Sequence, residues 1–154
     1  MPVTEAHVPE LLRIMRTPEV AARWGEPEPG WPLDDPGAVC FAVLVDGEVR
    51  GMVQYDEESD PEYRHASVDI FLDPAVHGRG VGQDTVRALA RYLIGERGHH
   101  RLVIDPAADN TPAIRCYEKV GFRRVGVMRR YERDNDGAGW HDGLLMDLLA
   151  NELT

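Results

Sequence analysis

The residues whose types and spacing best suit a chemical task are the glycines at 78, 80 and 82. In Asp69-Ile-Phe-Leu-Asp-Pro-Ala-Val-His77-Gly-Arg-Gly-Val-Gly82 an apolar strand runs into a glycine-rich turn that opens a helix. Backbone N–H groups at a helix start lack intrahelical partners and carry partial positive charge. Gly78, Gly80 and Gly82 let a ligand approach that backbone closely. Residues His77 to Gly82, including Val81 and the charge of Arg79, therefore form an anion cradle suited to a pyrophosphate. The run is not a dinucleotide fingerprint, because Gln83 stands where the third glycine would fall. It is not a P-loop, because no Lys-Ser/Thr follows.

A second informative stretch is Asp105-Pro-Ala-Ala-Asp-Asn110-Thr-Pro-Ala-Ile-Arg-Cys-Tyr117-Glu-Lys-Val-Gly-Phe122. A helix over 112–120 places Ile114 and Tyr117 on one face. Tyr117 can equally be a core aromatic on which Phe122 packs past the Gly121 terminator. Cys40 and Cys116 are isolated, lie among apolar neighbours and read as buried free thiols of a reducing cytosol. Cys116 has no evident His/Asp pair and is read as core rather than nucleophile. The adjacent His99-His100 diverge and lack a third ligand at suitable spacing, so no metal is expected.

The elements that must position these residues follow from periodicity. Thr4 can cap a helix with Val8, Leu11, Leu12 and Met15 on one stripe. Thr17-Pro18 starts a second helix that carries Val20 and Trp24 and stops at Gly25. Residues 25–38 read as a loop. Val39 to Val45 is a strand, Asp46-Gly47 a hairpin turn, and Val49 to Tyr55 the returning strand. The acidic segment 56–62 reads as a turn. Ala66 to Leu72 is a third strand, with Val68, Ile70 and Leu72 on one face and Asp69 and Phe71 on the other. Gly82 to Arg97 is an amphipathic helix with Val86, Leu89, Leu93 and Ile94 on its apolar side. Leu102 to Ile104 is a short buried strand. A helix over Pro112 to Val120 is capped by Thr111. Arg124 to Met128 and Leu144 to Leu149 read as the last strands, although 144–149 is also helical by composition. The sum is an α/β chain, a mixed and mostly antiparallel sheet with helices on both faces.

The 154 residues are one domain's worth of chain, expected as a single domain over 1–154. No run approaches the roughly 18 apolar residues of a membrane span, and no signal peptide is visible, so a cytoplasmic protein without a membrane partner is expected. The formal net charge is −10. Such a surface repels nucleic acid and attracts a polycation, or simply supports solubility.

The two stretches together resemble the GNAT superfamily of N-acetyltransferases. His77-Gly-Arg-Gly-Val-Gly82 is similar to its acyl-CoA loop, Arg/Gln-x-x-Gly-x-Gly/Ala. Asn110…Ala113…Tyr117-Glu-Lys-Val-Gly-Phe122 is similar to its second signature. The resemblance covers roughly residues 4–149. It departs at His77, where the family usually has Arg or Gln, and ahead of Thr4, where the family's first strand is either absent or lies upstream of this start.

The resemblance implies the GNAT fold, with a parallel strand pair, the third strand and 102–104, splayed at the cofactor cleft. Acetyl-CoA would be the cosubstrate, with its pyrophosphate on 77–82 and its pantetheine along 70–72. Asn110 would line that site. A backbone N–H near Phe71 or Leu72 would stabilise the oxyanion. An amine would attack directly, with Tyr117 protonating the departing thiolate. Asp69 is then the candidate to bind and deprotonate the ammonium, or else is a half-exposed strand residue in a surface salt bridge.

A closer resemblance is to aminoglycoside 6′-N-acetyltransferases. It is carried by Trp24-Gly25, Val68-Asp69-x-x-Leu72, Asp105-Pro106 and Ala113-Ile-Arg-Cys-Tyr-Glu-Lys119. It implies aspartates 69 and 105 at the aminoglycoside site, the first as base. The physical chemistry agrees: a cleft lined by Asp69, Asp105 and the 56–62 acids would attract a polycation, and Trp24 or Trp31 could stack on a sugar face. Trp24 reads equally as core by its helix stripe, and Asp105-Pro106 equally as a strand stop. The alternatives are a peptide N-terminus, lysine or small metabolite amine as acceptor, or an acyl-CoA-binding module without turnover. A monomer or homodimer is expected.

Overall fold

The computed structural model describes residues 1–154. The helices are α1 (Val8–Met15), α2 (Pro18–Trp24), α3 (Val81–Gly95) and α4 (Thr111–Val120). The strands are β1 (Val39–Val45), β2 (Glu48–Glu58), β3 (His65–Leu72), β4 (Arg101–Ile104), β5 (Arg123–Arg133) and β6 (Trp140–Leu149). They form one sheet in the order β1-β2-β3-β4-β6-β5, antiparallel except for the β3–β4 pair.

The alternation along β3 distributes its side chains as the sequence requires. Val68, Ile70 and Leu72 pack into a core of the sheet face covered by α3 and α4, with Val86, Leu89, Leu93, Ile114 and Val120. Phe71 instead joins Leu11, Ile14, Met15 and Met52 under α1 and α2. Helices thus cover both faces. A close approach of β2 to β3 depends on Gly51, whose Cβ would stand 2.2 Å from the Phe71 carbonyl oxygen.

Several boundaries differ from expectation. A short 3₁₀ turn, Glu5–His7, precedes α1. The buried stripe of α1 is Leu11, Ile14 and Met15, while Val8 and Leu12 line a groove beside it. The first half of the acidic 56–62 segment is strand, because β2 pairs with β3 as far as Glu58 with His65. Asn110, not Thr111, caps α4. Residues 144–149 are strand, tied to both β4 and β5. Ahead of α1 the chain makes an isolated antiparallel bridge to the β1 edge, Pro2 with Phe41. Ala42 donates to the Met1 carbonyl at 2.8 Å, and Val3 donates to that of Cys40 at 3.1 Å. No helix is long and apolar enough to cross a membrane.

Candidate active site

The β3–β4 pair is the structural origin of the site. Its partners are only Ala66 with Leu102 and Ser67 with Val103. Beyond Ser67 the backbone of β3 has no β4 partner, because β4 follows β6 while β3 follows β2. The divergence opens a cleft of about 1010 Å³.

One end of the cleft is the start of α3. Gly78 and Gly80 have φ of 77° and 78°, in the left-handed region, and a Cβ at either would meet nothing within 4 Å. The glycines serve the backbone path here rather than packing. No side chain caps α3, so its first N–H groups face the cleft unpaired. His77, Gly78, Gly80, Val81 and Gly82 all line the cleft; Arg79 sits on the same loop but is not among the lining residues. The His77 ring, within 3.2 Å of the Leu72 carbonyl, braces the turn. Behind it, buried Asp73 accepts from Arg13 at 2.7 Å, Arg50 at 3.1 Å and the Ala75 N–H at 3.0 Å. Burial alone would push this carboxyl up, but those donors outweigh it and hold it below its ordinary value. Arg115 and Lys119 of α4 add positive charge without a carboxylate partner. These features fit a nucleotide pyrophosphate.

The middle of the cleft carries Asp69, Phe71, Leu72, Asn110, Cys116 and Tyr117. The Asp69 carboxyl is open to the cleft and makes no salt bridge. Desolvation by the surrounding protein pushes it up to about 7, against the Ile70 N–H that it accepts at 2.9 Å; Asp105, Glu132 and Asp56 add repulsion. Tyr117 is 7% exposed, and burial raises its hydroxyl well above the ordinary tyrosine value. Its ring also meets Phe122 edge-on at 6.3 Å, so it both packs and faces the cleft. Cys116 is half-buried, and burial raises its thiol too.

The far wall was not legible in the sequence. The β5–β6 hairpin brings Glu132, Asp134, Asp136 and His141 to the cleft beside Asp105 and Asp109. Asn135 at its tip donates to the carbonyls of Ala21 and Ala22, at 3.2 and 2.7 Å, and so ties the hairpin to the end of α2. Trp24 lines the cleft and meets Phe71 edge-on at 5.0 Å, while Trp31 packs on Phe71 but lies in the separate groove beside α1. The 56–62 acids are not among the lining residues. Glu57 is turned to Arg97 and buried His99, which pull it down to about 2.

A split parallel pair, an uncapped glycine-rich helix start and a buried tyrosine lining one cleft with a carboxylate are parts suited to an acetyl-CoA-dependent acyltransferase. The chain belongs to the Acetyltransferase (GNAT) family, whose pattern matches residues 8–122. Among curated relatives, aminoglycoside N(6′)-acetyltransferase type 1 of Klebsiella pneumoniae is 34% identical over 128 residues. That alignment covers 82% of this chain and 57% of the relative, so the chain spans little more than half the relative's length. The solved aminoglycoside acetyltransferase AAC(6′)-Ib in complex with coenzyme A and kanamycin superposes with a TM-score of 0.79 at 23% identity, over 99% of this chain and 94% of that one. A Vibrio cholerae spermidine N-acetyltransferase chimera superposes with a TM-score of 0.82 at 16% identity, over 98% and 94%. At these identities the two structures speak for the fold.

Proposed function

We propose that residues 1–154 work as one acetyltransferase unit that moves the acetyl group of acetyl-CoA to a primary amine, the 6′-amine of an aminoglycoside. The observation that carries the acceptor class is the concentration of carboxylates at one end of the cleft, opposite the glycine-rich start of α3. Asp69, Asp105, Glu132, Asp134 and Asp136 outnumber Arg23, Arg133 and His141 in the same lining, and the excess of carboxylates suits a molecule with several ammonium groups. The 34% identical relative supports the aminoglycoside within that class.

Acetyl-CoA supplies the activated acetyl group as a thioester. The N–H groups at the start of α3, with Arg115 and Lys119, hold its phosphates. The backbone of β3 from Ile70 to Leu72, which has no β4 partner, lies along the pantetheine, with the Ile70 N–H already given to Asp69 and the Leu72 carbonyl beside His77. Asp69 receives the ammonium and takes its proton; a carboxyl near 7 is matched to that task at neutral pH. Tyr117 faces the departing sulfur. Because burial makes its hydroxyl a poorer acid, it acts by donating a hydrogen bond to the developing thiolate. Trp24 offers an apolar surface to a sugar ring. The need for acetyl-CoA, with two unpaired cysteines, favours a cytoplasmic site of action, and aminoglycoside acetylation there would be an antibiotic-resistance activity.

The deciding experiment incubates the protein and acetyl-CoA with kanamycin, an N-terminal peptide set and spermidine, and measures CoA release and product mass. Kanamycin gaining one acetyl group is the expected result. Kanamycin left unmodified while a peptide or polyamine is acetylated would retire the aminoglycoside acceptor and keep the transfer chemistry.

A further inference from the structure

The register between β5 and β6 breaks between Met128 and Glu132. Inside the break Arg130 has φ 48°, an uncommon conformation for a residue with a side chain, and its N–H donates to Asp142 Oδ1 at 2.8 Å. Such a bulge bends the strand and re-aims a side chain. Here the side chain is Tyr131. Its ring lies against Gly143, where a Cβ would stand 2.9 Å from Tyr131 Cδ2. From that seat the hydroxyl donates to Asp105 Oδ2 at 2.7 Å. Tyr131 does not itself line the cleft; Asp105 does. The Asp105 backbone is held as well, because the following residues run along β6, with Leu144 donating to the Pro106 carbonyl at 2.8 Å.

We propose that Tyr131 is a positioning residue for the acceptor: its hydroxyl fixes the Asp105 carboxylate so that the other oxygen, Oδ1, anchors an ammonium group of the amine substrate. This rests on the acceptor reading above. Asp105 Oδ1 makes no hydrogen bond within the protein, whereas Oδ2 is occupied by the phenol. The arrangement therefore presents one free oxygen in one orientation. The bond to Asp105, with some burial, pushes the Tyr131 hydroxyl up to about 12, so it stays a donor across the working pH range. A regular β5 would alternate differently and leave the carboxylate free to rotate. The price of the arrangement is the left-handed Arg130 and a glycine at 143.

The test is a double-mutant cycle on the acceptor that the wild type turns over. Tyr131→Phe keeps the ring on Gly143 and removes the donor. The acceptor KM should rise about tenfold to a hundredfold, the scale of one hydrogen bond to a charged group, with kcat changed less than about threefold and the acetyl-CoA KM unchanged. In an Asp105→Asn background the same substitution should change the acceptor KM by less than about twofold, because Tyr131 acts only through Asp105. Gly143→Ala, which displaces the ring while keeping the hydroxyl, should reproduce the loss; its melting temperature shows whether it folds, and Tyr131→Phe decides alone if it does not. A wild-type acceptor KM for Tyr131→Phe, an equal loss in both backgrounds, or a parallel rise in the acetyl-CoA KM would overturn the proposal. Kanamycin untouched while another amine is acetylated retires the aminoglycoside alone, and the cycle is then read on that amine. A wild type that acetylates no amine of the panel overturns both.

Discussion

Asp69 on β3 and Tyr117 on α4 line one cleft, and negative charge on Asp69 is among the reasons that Tyr117 keeps its proton. Loss of water is the first cause for both groups, through the protein surrounding the open Asp69 carboxyl and the burial of Tyr117, and it moves the carboxyl to about 7 and the phenol above its ordinary range. The two remain well separated, one able to release its proton near neutrality and the other not. That separation is what an amine-deprotonating base beside a hydrogen-bond donor needs.

The activity should therefore follow Asp69. Its carboxylate must be ionised to accept the ammonium proton, so kcat/KM for the acceptor rises with pH through about 7. Asp69→Asn should flatten this limb and reduce turnover about a hundredfold to ten-thousandfold. A pH–rate profile of both proteins checks this, with Asp60→Asn, in a segment outside the cleft lining, as the control near wild-type activity.

Stability should move the other way. The folded carboxyl of Asp69 binds its proton more tightly than the unfolded one, from about 7 against an ordinary 3.8. Wherever the folded state holds more protons, stability falls as pH rises. The wild type should lose stability from about pH 4 to about pH 7, and Asp69→Asn should remove that loss. Melting curves of both proteins at pH 5 and pH 8 would show the variant's stability relative to wild type greater at pH 8 than at pH 5.

Tyr117→Phe removes the hydroxyl and little volume, and the edge-on contact with Phe122 survives it. The fold and acetyl-CoA binding should persist while kcat falls about tenfold to a thousandfold. Turnover at the wild-type rate would reduce Tyr117 to a packing residue.

Acetyl-CoA should raise the melting temperature. A ligand at a hundredfold its Kd adds about 2.7 kcal/mol, worth several degrees in a protein of this size. Gly82→Val should abolish the rise. A Cβ at Gly82 would stand 3.3 Å from Leu72 Cδ1 and 3.4 Å from Cys116 Sγ, so the added methyls crowd two side chains that line the cleft. Differential scanning fluorimetry with and without acetyl-CoA separates lost binding from lost folding.

The sequence by itself determined whatever depends on neighbours along the chain. The glycines at 78 and 80 announce a tight turn before a helix, because their left-handed backbone is strained for any residue with a side chain. The alternation around Asp69 placed it on the face opposite Ile70 and Leu72, because a strand has period two. Tyr117 was visible for the same reason, through the helical spacing from Ile114.

The tertiary structure decided which charges meet. The acids at 56–62 are closer in sequence to Asp69 than Glu132 and Asp134 are, yet only the latter pair line the cleft. A charged residue carries no periodic signal of its partner, and Glu57 was claimed by Arg97 and His99 across the β2 end. Glu132, Asp134 and Asp136 reach the site because β6 lies between β4 and β5, so that the β5–β6 hairpin projects over the end of β4. The Tyr131–Asp105 bond needs that strand order, a bulge at Arg130 and a glycine at 143 together. Each is a long-range condition, set by sheet pairing and packing rather than by any local pattern.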